Sequence, residues 1–374
     1  MAPLSLLSTI LLATASFSQG RQVFHVPSTI QNGASIAQFE YSSQLDAPKL
    51  STVNGSVFDW WYFDVVSADP DNLATAVVIL YTTSHDAFPF LDPFDGALPA
   101  QIVVTFPNGT LVSTQLLADS ATIIAEDDYS SGEWDGTGIK WSGQSLGYTV
   151  TIDSPIAGVK GSITFQPAAP AHLPCAPVQA GETLEVAPHI GWSNAIPDSE
   201  ASVNLVINGT SLAFEGIGYH DKNWSDEPFF AHVASWYWGH AHVGPYSLVW
   251  FDFLDLTGKE FVSAYVAQDG KIVTATCAAD SISVRPTGPG NGSMYPPVVS
   301  IPNPAGYHIS LDLGLEKGRM EADVHILGNL VELGDSPVYG RFIANVSARI
   351  VSPSGVNGAE FQGMALCEQF KLTN

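Results

Sequence analysis

The feature that most constrains the fold is an alternation of apolar and polar residues with a period of two. Residues 148–153, 319–326 and 341–348 all alternate in this way. Successive side chains of a β-strand point to opposite faces, so each segment predicts a strand with one dry face and one wet face. Beyond the first twenty residues, no long segment has the 3.6-residue period of an amphipathic helix. The sequence therefore predicts an all-β protein.

Three dipeptides that favour tight hairpin turns separate β-rich segments: Asn108-Gly109, Asn208-Gly209 and Asp269-Gly270. The chain has 374 residues, of which 45% are hydrophobic, so two domains with packed cores are expected. We predict two antiparallel β-barrel domains, over residues 21–230 and 231–374. The Pro-rich residues 167–177 are expected to form a long loop within the first domain.

The N-terminal residues 1–20 have the pattern of a signal peptide. An apolar run over residues 4–13 is too short to span a bilayer, and small residues follow it, with possible cleavage after Ala15 or Gly20. No later segment is apolar for long enough to span a membrane. We therefore expect entry into the secretory pathway, with the protein secreted or vesicular.

Six Asn-X-Ser/Thr sequons agree with this route. The sixth, at Asn223, is expected to stay unmodified if its segment lines a cavity. The expected glycan acceptors are Asn54, Asn108, Asn208, Asn291 and Asn345.

The cysteines allow at most one disulfide within the chain. There are three, Cys175, Cys277 and Cys367, so at least one thiol is left over. Because Cys277 and Cys367 both fall in the C-terminal part, that pair is favoured. No Cys-X-X-Cys sequence is present, which argues against a zinc ribbon.

The charge balance restricts the class of partner. The chain has 13 Lys and Arg against 37 Asp and Glu, a net charge of −24. Such a surface repels nucleic-acid phosphates and anionic membranes. A neutral or apolar small molecule is the expected partner, and the oligomeric state stays open.

Aromatic residues concentrate at 60–63, 236–238 and 250–253. Core packing is one interpretation, because tryptophan buries a large area. In a closed barrel, however, the inward half of each cluster would line an apolar ligand cavity. Nearby, His240 and His242 lie on one face of a predicted strand, at metal-ligand spacing. Because a turn follows instead of a carboxylate, we expect two hydrogen-bonded histidines lining a cavity, and no metal site.

The segment GYHDKNW, residues 218–224, gathers an imidazole, a carboxylate, an ammonium and an amide at the end of a predicted strand. In one interpretation Asp221 and Asn223 fix a loop through hydrogen bonds to the backbone. In the other, Asp221 orients His220 while Lys222 or Asn223 donates to a substrate carbonyl. The residues alone leave both open.

Three motifs together carry a family resemblance: DWWYFD at 59–64, GYHDKNW at 218–224, and SWYWGHAHVGPYSLVWFDF at 235–253. In order and spacing they resemble the lipocalin-like carotenoid 1,2-hydratase family. Within it, the chain looks most like the fungal pericyclases, and among these the hetero-Diels–Alderases of tropolone sesquiterpenoid biosynthesis. The resemblance implies two lipocalin-like barrels. Lys222 replaces the second histidine of the hydratase-type motif, which argues against a hydratase-like proton relay.

The resemblance also implies a cofactor-independent enzyme that catalyses a stereoselective (hetero-)Diels–Alder cycloaddition in fungal secondary metabolism. In its most specific form, the reaction joins a tropolone quinone methide to a sesquiterpene alkene. An aromatic cavity suits this chemistry, because positioning two unsaturated groups can contribute about 7–11 kcal/mol. Neither a cofactor nor a metal ion is expected.

Roles follow for the polar residues of the motifs. Lys222, His240 or His242 would donate a hydrogen bond to the heterodiene oxygen. Alternatively, His220 and Asp221 would help expel water to form the quinone methide. The predicted substrate-binding residues are Trp61, Tyr62, Asn223, Trp236, Trp238 and Trp250.

Other functions stay open on the sequence alone. A hydratase or cyclase would use Asp221 and His220 as acid and base on an apolar alkene, and hydration would add the mass of one water. A carrier would bind an apolar metabolite without changing it. A glycosylated cell-surface protein would lack a ligand cavity.

Overall fold

The computed structural model describes residues 20–333 and 338–374. These residues form twenty-two antiparallel strands and two short 3-10 helices, Phe229–Ala231 and Gly290–Ser293, arranged around two curled sheets. None of the helices in the described ranges is long and apolar enough to cross a membrane. The all-β prediction is confirmed. The predicted signal peptide falls almost entirely outside the described residues.

The first sheet takes thirteen strands from the N-terminal part of the chain. In chain order they are β1 (Gln22–Pro27), β2 (Phe58–Ser67), β3 (Thr75–Thr83), β4 (Pro99–Thr105), β5 (Leu111–Leu117), β6 (Ser120–Glu126), β7 (Tyr129–Asp135), β8 (Ile139–Gln144), β9 (Gly147–Ser154), β10 (Val159–Pro167), β11 (Glu185–Ala187), β12 (Ile190–Ile207) and β13 (Thr210–Ser225). They pair in the order β1-β6-β7-β8-β9-β10-β12-β13-β2-β3-β4-β5, with β11 on β12. The first and last parts of this segment of chain therefore meet where β13 pairs with β2.

The second sheet takes nine strands from the C-terminal part. In chain order they are β14 (Val233–Val243), β15 (Tyr246–Asp255), β16 (Glu260–Gln268), β17 (Lys271–Thr276), β18 (Ile282–Thr287), β19 (Gly306–Asp312), β20 (Arg319–Leu333), β21 (Tyr339–Val351) and β22 (Asn357–Lys371). They pair in the order β17-β16-β15-β14-β22-β21-β20-β19-β18. The linker between the two sheets runs from β13 to β14 and contains the 3-10 helix Phe229–Ala231.

Each sheet curls around its own apolar core, and a third core lies between the sheets. Strand β2 contributes to two of these cores, one on each face, and all ten of its residues are buried. Trp61 and Phe63 point into the core of the first sheet, whereas Trp60 and Tyr62 point into the core between the sheets. A strand buried on both faces reads as a continuous apolar run, which accounts for the aromatic cluster at 60–63.

The predicted turns are present where the strands change direction. Both residues of Asn208-Gly209 and of Asp269-Gly270 have positive φ, as a two-residue type I′ hairpin requires. Asn108-Gly109 lies in a wider connection between β4 and β5, where Gly109 alone has positive φ.

The structure corrects the predicted disulfide. Cys175 pairs with Cys277, and Cys367 is a buried free thiol. Strand alternation in β22 points Cys367 into the core of the second sheet, away from Cys277 at the end of β17. The Pro-rich loop between β10 and β11 reaches the second sheet instead, where Ser263 Oγ and Tyr265 Oη donate to its carbonyls at 2.5 and 2.7 Å.

The predicted glycan acceptors differ in exposure. Asn108, Asn208 and Asn291 are exposed, whereas Asn54 and Asn345 are half-buried. Glycosylation at these positions stays a prediction. Asn223 is buried in β13, where an attached glycan would not fit.

Candidate active site between the two sheets

A cavity of about 150 Å³ lies between the sheets, and we call it the interface cavity. Its walls come from β2, β3, β4, β5 and β13 of the first sheet, from β14, β20, β21 and β22 of the second, and from the loop after β3. Cavities of this size with apolar walls accept a benzene-sized ring. The aromatic side chains of its lining are Trp60, Tyr62, Tyr81, Phe88, Phe90, Trp236, Trp238, Tyr339 and Phe370.

A carboxyl group faces this aromatic cavity from β13. Asp221 Oδ2 accepts hydrogen bonds from Trp192 Nε1 and Tyr219 Oη, both at 2.7 Å. Burial raises the pKa of Asp221 to about 7, although these two hydrogen bonds act to lower it. Because both hydrogen bonds go to Oδ2, Oδ1 remains available to present a proton to a bound molecule. A protonated carboxyl at neutral pH is a suitable general acid.

A hydrogen-bond network holds Asp221 in this orientation. Tyr219 Oη accepts from Asn194 Nδ2 and from Trp238 Nε1, so its own proton is directed to Asp221. Behind Tyr219, the His240 ring stacks on the phenol with centroids 4.6 Å apart, and its Nε2 donates to Asp64 at 2.9 Å. The network fixes the carboxyl while leaving its second oxygen free.

Two buried donors of the lining have no hydrogen-bond partner among the described residues. They are Tyr62 Oη and Trp236 Nε1. Burial raises the pKa of Tyr62 well above its usual value, so the phenol stays protonated. A buried donor without a partner costs about 1–3 kcal/mol, and a bound ligand or water would recover this cost. Both groups are therefore candidates for hydrogen bonds to substrate.

A buried ion pair forms another polar part of the cavity lining. Arg341 Nε donates to Glu368 Oε1 at 2.7 Å, and Tyr339 Oη donates to the same oxygen at 2.8 Å. The Arg341 guanidinium also lies 5.1 Å from the centre of the Tyr62 ring. Neutralisation within the pair limits the net charge in the cavity, which favours an apolar or neutral ligand.

A second cavity, of about 510 Å³, opens at the end of the first sheet beside the Pro-rich loop. Asp46 lies at its base and is fully engaged, by His220 at 3.1 Å, Tyr148 at 2.6 Å and Ser130 at 2.7 Å. Although burial raises it, these partners lower the pKa of Asp46 to about 2. An ionised, saturated carboxylate cannot act as an acid, so the interface cavity is the better candidate.

Strand alternation divides the predicted site residues of β13 and β2 between two faces. Tyr62, Asp221 and Asn223 line the interface cavity. His220 and Lys222 point the other way, into the first sheet. Trp61 also faces that interior, so it does not line the cavity.

Lys222 has a buried partner of its own. Its Nζ donates to Asp59 Oδ1 at 2.5 Å and lies 3.2 Å from the centre of the Trp61 ring. Burial lowers the pKa of Lys222, while Asp59 acts to raise it. The structure thus places the predicted donor away from the interface cavity.

The predicted residues of β14 and β15 are also divided. Trp236 and Trp238 line the cavity, whereas Trp250 lies in the core of the second sheet. His240 is buried behind Tyr219. His242 is half-exposed at the edge, where its Nδ1 donates to Asp198 at 2.7 Å.

Sequence reasoning missed several lining residues. Trp60 was detectable, because the two-residue period places it on the same face as Tyr62. Arg341 and Glu368 had no local signal, since they lie in ordinary alternating strands that approach Asp221 through sheet packing. Phe88 and Phe90 had no local signal either, because they lie in the loop after β3 and reach the cavity only through the folding of that loop.

Comparison with known proteins identifies the family. A family model described as Diels-Alderase-like matches residues 26–285. The quinolone epoxide rearrangement protein penF of Penicillium thymicola is 36% identical over 94% of this chain and 96% of that protein. The protein of the same name, asqO, of Emericella nidulans is 32% identical over 98% of each chain. The Diels-Alderase ucsH of Acremonium sp is 27% identical over 60% of this chain and 57% of that protein.

Solved structures show the same fold. The crystal structure of CghA has a TM-score of 0.75 at 16% identity and covers 95% of this chain and 99% of that chain. Kievitone hydratase from Nectria haematococca has a TM-score of 0.51 at 12% identity, over 90% and 98% of the two chains. The family match covers more than half of the chain and confirms both the predicted resemblance to fungal pericyclases and the prediction of an enzyme. The chain belongs to the Diels-Alderase-like family.

Proposed function

We propose that this protein catalyses the acid-assisted rearrangement of an epoxide on an apolar aromatic small molecule, with Asp221 as the general acid. The observation that carries the proposal is a buried carboxyl with a pKa of about 7 in an aromatic cavity. Both relatives that match nearly the whole chain are named quinolone epoxide rearrangement proteins. Epoxide opening is a reaction that a positioned proton donor accelerates.

In the proposed reaction, Asp221 Oδ1 gives its proton to the epoxide oxygen. The C–O bond to the carbon that better bears positive charge then breaks, and the oxygen stays on the other carbon as a hydroxyl. A substituent of the hydroxyl-bearing carbon migrates with its bonding electrons to the adjacent cationic carbon, so its bond to the first carbon breaks as the new bond forms. The hydroxyl proton returns to the Asp221 carboxylate as the carbonyl forms. Substrate and product are isomers, and no oxidant or reductant is consumed.

The cavity walls would stabilise the cationic carbon. Trp60, Trp236 and Trp238 line the same cavity as Asp221. An aromatic face contributes up to about 2 kcal/mol to a desolvated cation. Tyr62 Oη and Trp236 Nε1 would bind the polar groups of the substrate, because neither has a partner among the described residues. Water exclusion by the aromatic wall would keep the cation from capture as a diol.

The experiment is conversion of an aryl-substituted quinolone epoxide by the purified protein, followed by mass spectrometry. We expect a product of unchanged mass. Asp221→Asn should lower kcat/KM by about 100-fold or more, as expected for loss of a general acid. His242→Ala is the control, since His242 lies outside the interface cavity. A product heavier by one water would identify a hydratase, and no turnover would leave the carrier hypothesis.

A second candidate is the cycloaddition predicted from the sequence, including closure of a tropolone quinone methide onto a sesquiterpene alkene. The description of the matching family favours it. There the neutral Asp221 carboxyl would donate a hydrogen bond to the heterodiene oxygen and keep its proton. Preformed diene and alkene partners distinguish the two reactions, because the epoxide rearrangement has one substrate and forms no intermolecular bond.

A further inference from the structure

A cluster of two histidines and two carboxylates lies outside the interface cavity, and we call it the linker cluster. It consists of His189, Asp226, Glu227 and His232. His189 lies in the turn between β11 and β12. The other three belong to the linker between the two sheets. The cluster thus joins two segments that are 37 or more residues apart in the chain.

Three members bring their side chains together in the way a metal site requires. The ligand atoms of His189, Glu227 and His232 all lie within 4.8 Å of one another. The two imidazole rings stack almost in parallel, with centroids 4.6 Å apart and planes inclined by 17°.

The remaining contacts complete the pattern of a transition-metal site. Asp226 accepts a hydrogen bond from His189 Nδ1 at 2.9 Å, which leaves Nε2 unprotonated in the neutral ring. A carboxylate behind a ligating histidine is the usual arrangement in zinc proteins. The Glu227 carboxylate lies 2.8 Å from His232 Nε2, close enough for one metal ion to contact both atoms.

The backbone conformation at His189 is also unusual. Its φ is +64°, in the left-handed region that few residues other than glycine adopt, although asparagine, aspartate and histidine do so more often than the rest. Such a conformation costs of order 1–3 kcal/mol and persists only where the surrounding structure stabilises it. Here it turns the ring toward His232.

We propose that the linker cluster binds one Zn²⁺ ion through His189, Glu227 and His232, with Asp226 orienting His189. Two imidazoles and one carboxylate are a ligand set that zinc accepts, and water would fill the remaining position. The proposal is independent of the reaction in the interface cavity.

A zinc ion at this site would hold the linker close to residues that support the interface cavity. Phe229, in the same linker, packs on Trp60, Trp236 and Phe370 with centroids 6.4, 5.1 and 4.8 Å apart. These three rings are part of the wall of the interface cavity. Zinc at the linker cluster would therefore restrain the segment that supports this wall.

The test is zinc binding to the untagged full chain by calorimetry. We expect one equivalent of Zn²⁺ per chain, and binding at least about tenfold weaker in His232→Ala and His189→Asn. Asparagine tolerates the positive φ at position 189, so this variant keeps the turn. His308→Ala is the matched control, because His308 contacts two carboxylates, Glu321 and Asp323, but no second histidine.

A second readout separates a metal site from loss of folding. In wild type, Zn²⁺ should slow hydrogen exchange of residues 226–232, and in His232→Ala it should not. The proposal is overturned if wild type shows no saturable binding at micromolar Zn²⁺. It is also overturned if both histidine variants bind as tightly as His308→Ala.

Discussion

At the scale of single residues, the proposed function depends most on Asp221. Its carboxyl is buried, is hydrogen-bonded to Trp192 and Tyr219, and has a pKa that burial raises to about 7. If the protonated form is the catalyst, kcat/KM falls as the pH rises through 7. We expect this inflection in the pH profile of wild type and its loss in the residual activity of Asp221→Asn. An unchanged profile in the variant would assign the inflection to another group.

The same raised pKa has a cost in stability. Between the unfolded pKa of 3.8 and the folded pKa of about 7, the folded state binds the proton more tightly, so stability falls as the pH rises. The full difference between the folded and unfolded pKa values corresponds to a loss of about 4 kcal/mol in the free energy of unfolding. Asp221→Asn removes it, so the variant should gain stability relative to wild type from pH 4 to pH 8. Urea denaturation at both pH values measures this gain. A constant difference would refute the raised pKa.

Lys222 is expected to act on stability and not on the substrate. It is buried with Asp59, and Lys222→Ala would leave that carboxylate unpaired, at a cost of about 3–5 kcal/mol. The double variant Lys222→Met with Asp59→Asn should recover more than half of this loss. Denaturation and kcat per folded chain are the measurements. A stable but inactive Lys222→Ala would instead support the donor role that the sequence suggested.

At the scale of elements, the strand period predicts much of the fold but not which face meets the cavity. Residues 319–326 and 341–348 are parts of longer strands, β20 and β21, as alternation indicated. In β2 and β13 both faces are buried, so polarity no longer marks the inward side. For that reason the predicted set combined Asp221, which lines the interface cavity, with Trp61 and Lys222, which face the interior of the first sheet. The position of Arg341 in the cavity lining could not be predicted from its own strand, because it depends on how the two sheets pack together.

The disulfide is an element-scale prediction that the structure corrected, and it can be tested as a cross-link. Cys175 and Cys277 are separated by 102 residues and join the Pro-rich loop to the end of β17. Replacing both with serine should lower the free energy of unfolding by about 2–4 kcal/mol. Cys367 is buried, so native protein should show no reactive thiol and unreduced, unfolded protein should show one. Two reactive thiols or more would contradict the pairing.

At the scale of the whole molecule, the core between the sheets holds the two sheets together and also forms the walls of the interface cavity. It includes Trp60 and Tyr62 from the first sheet and Trp236 and Phe370 from the second. The interface cavity is a gap in this core, so neither sheet alone forms the site. The linker with Phe229 packs into the same aromatic cluster. A substrate held here contacts both sheets at once.

This shared core predicts that the protein unfolds as one unit. If the halves, residues 20–230 and 231–374, were separated, each would expose a large aromatic face to water. Exposing apolar surface costs about 25 cal/mol of free energy for each Å². We expect each half alone to aggregate, and the intact chain to unfold in a single transition with coincident circular dichroism and tryptophan fluorescence. Trp236→Ala should lower the free energy of unfolding by about 3–5 kcal/mol, and the protein should still unfold in a single transition. Two separate transitions, or a soluble first half with native circular dichroism, would mean that each sheet is stable alone and the cavity forms by docking of finished domains.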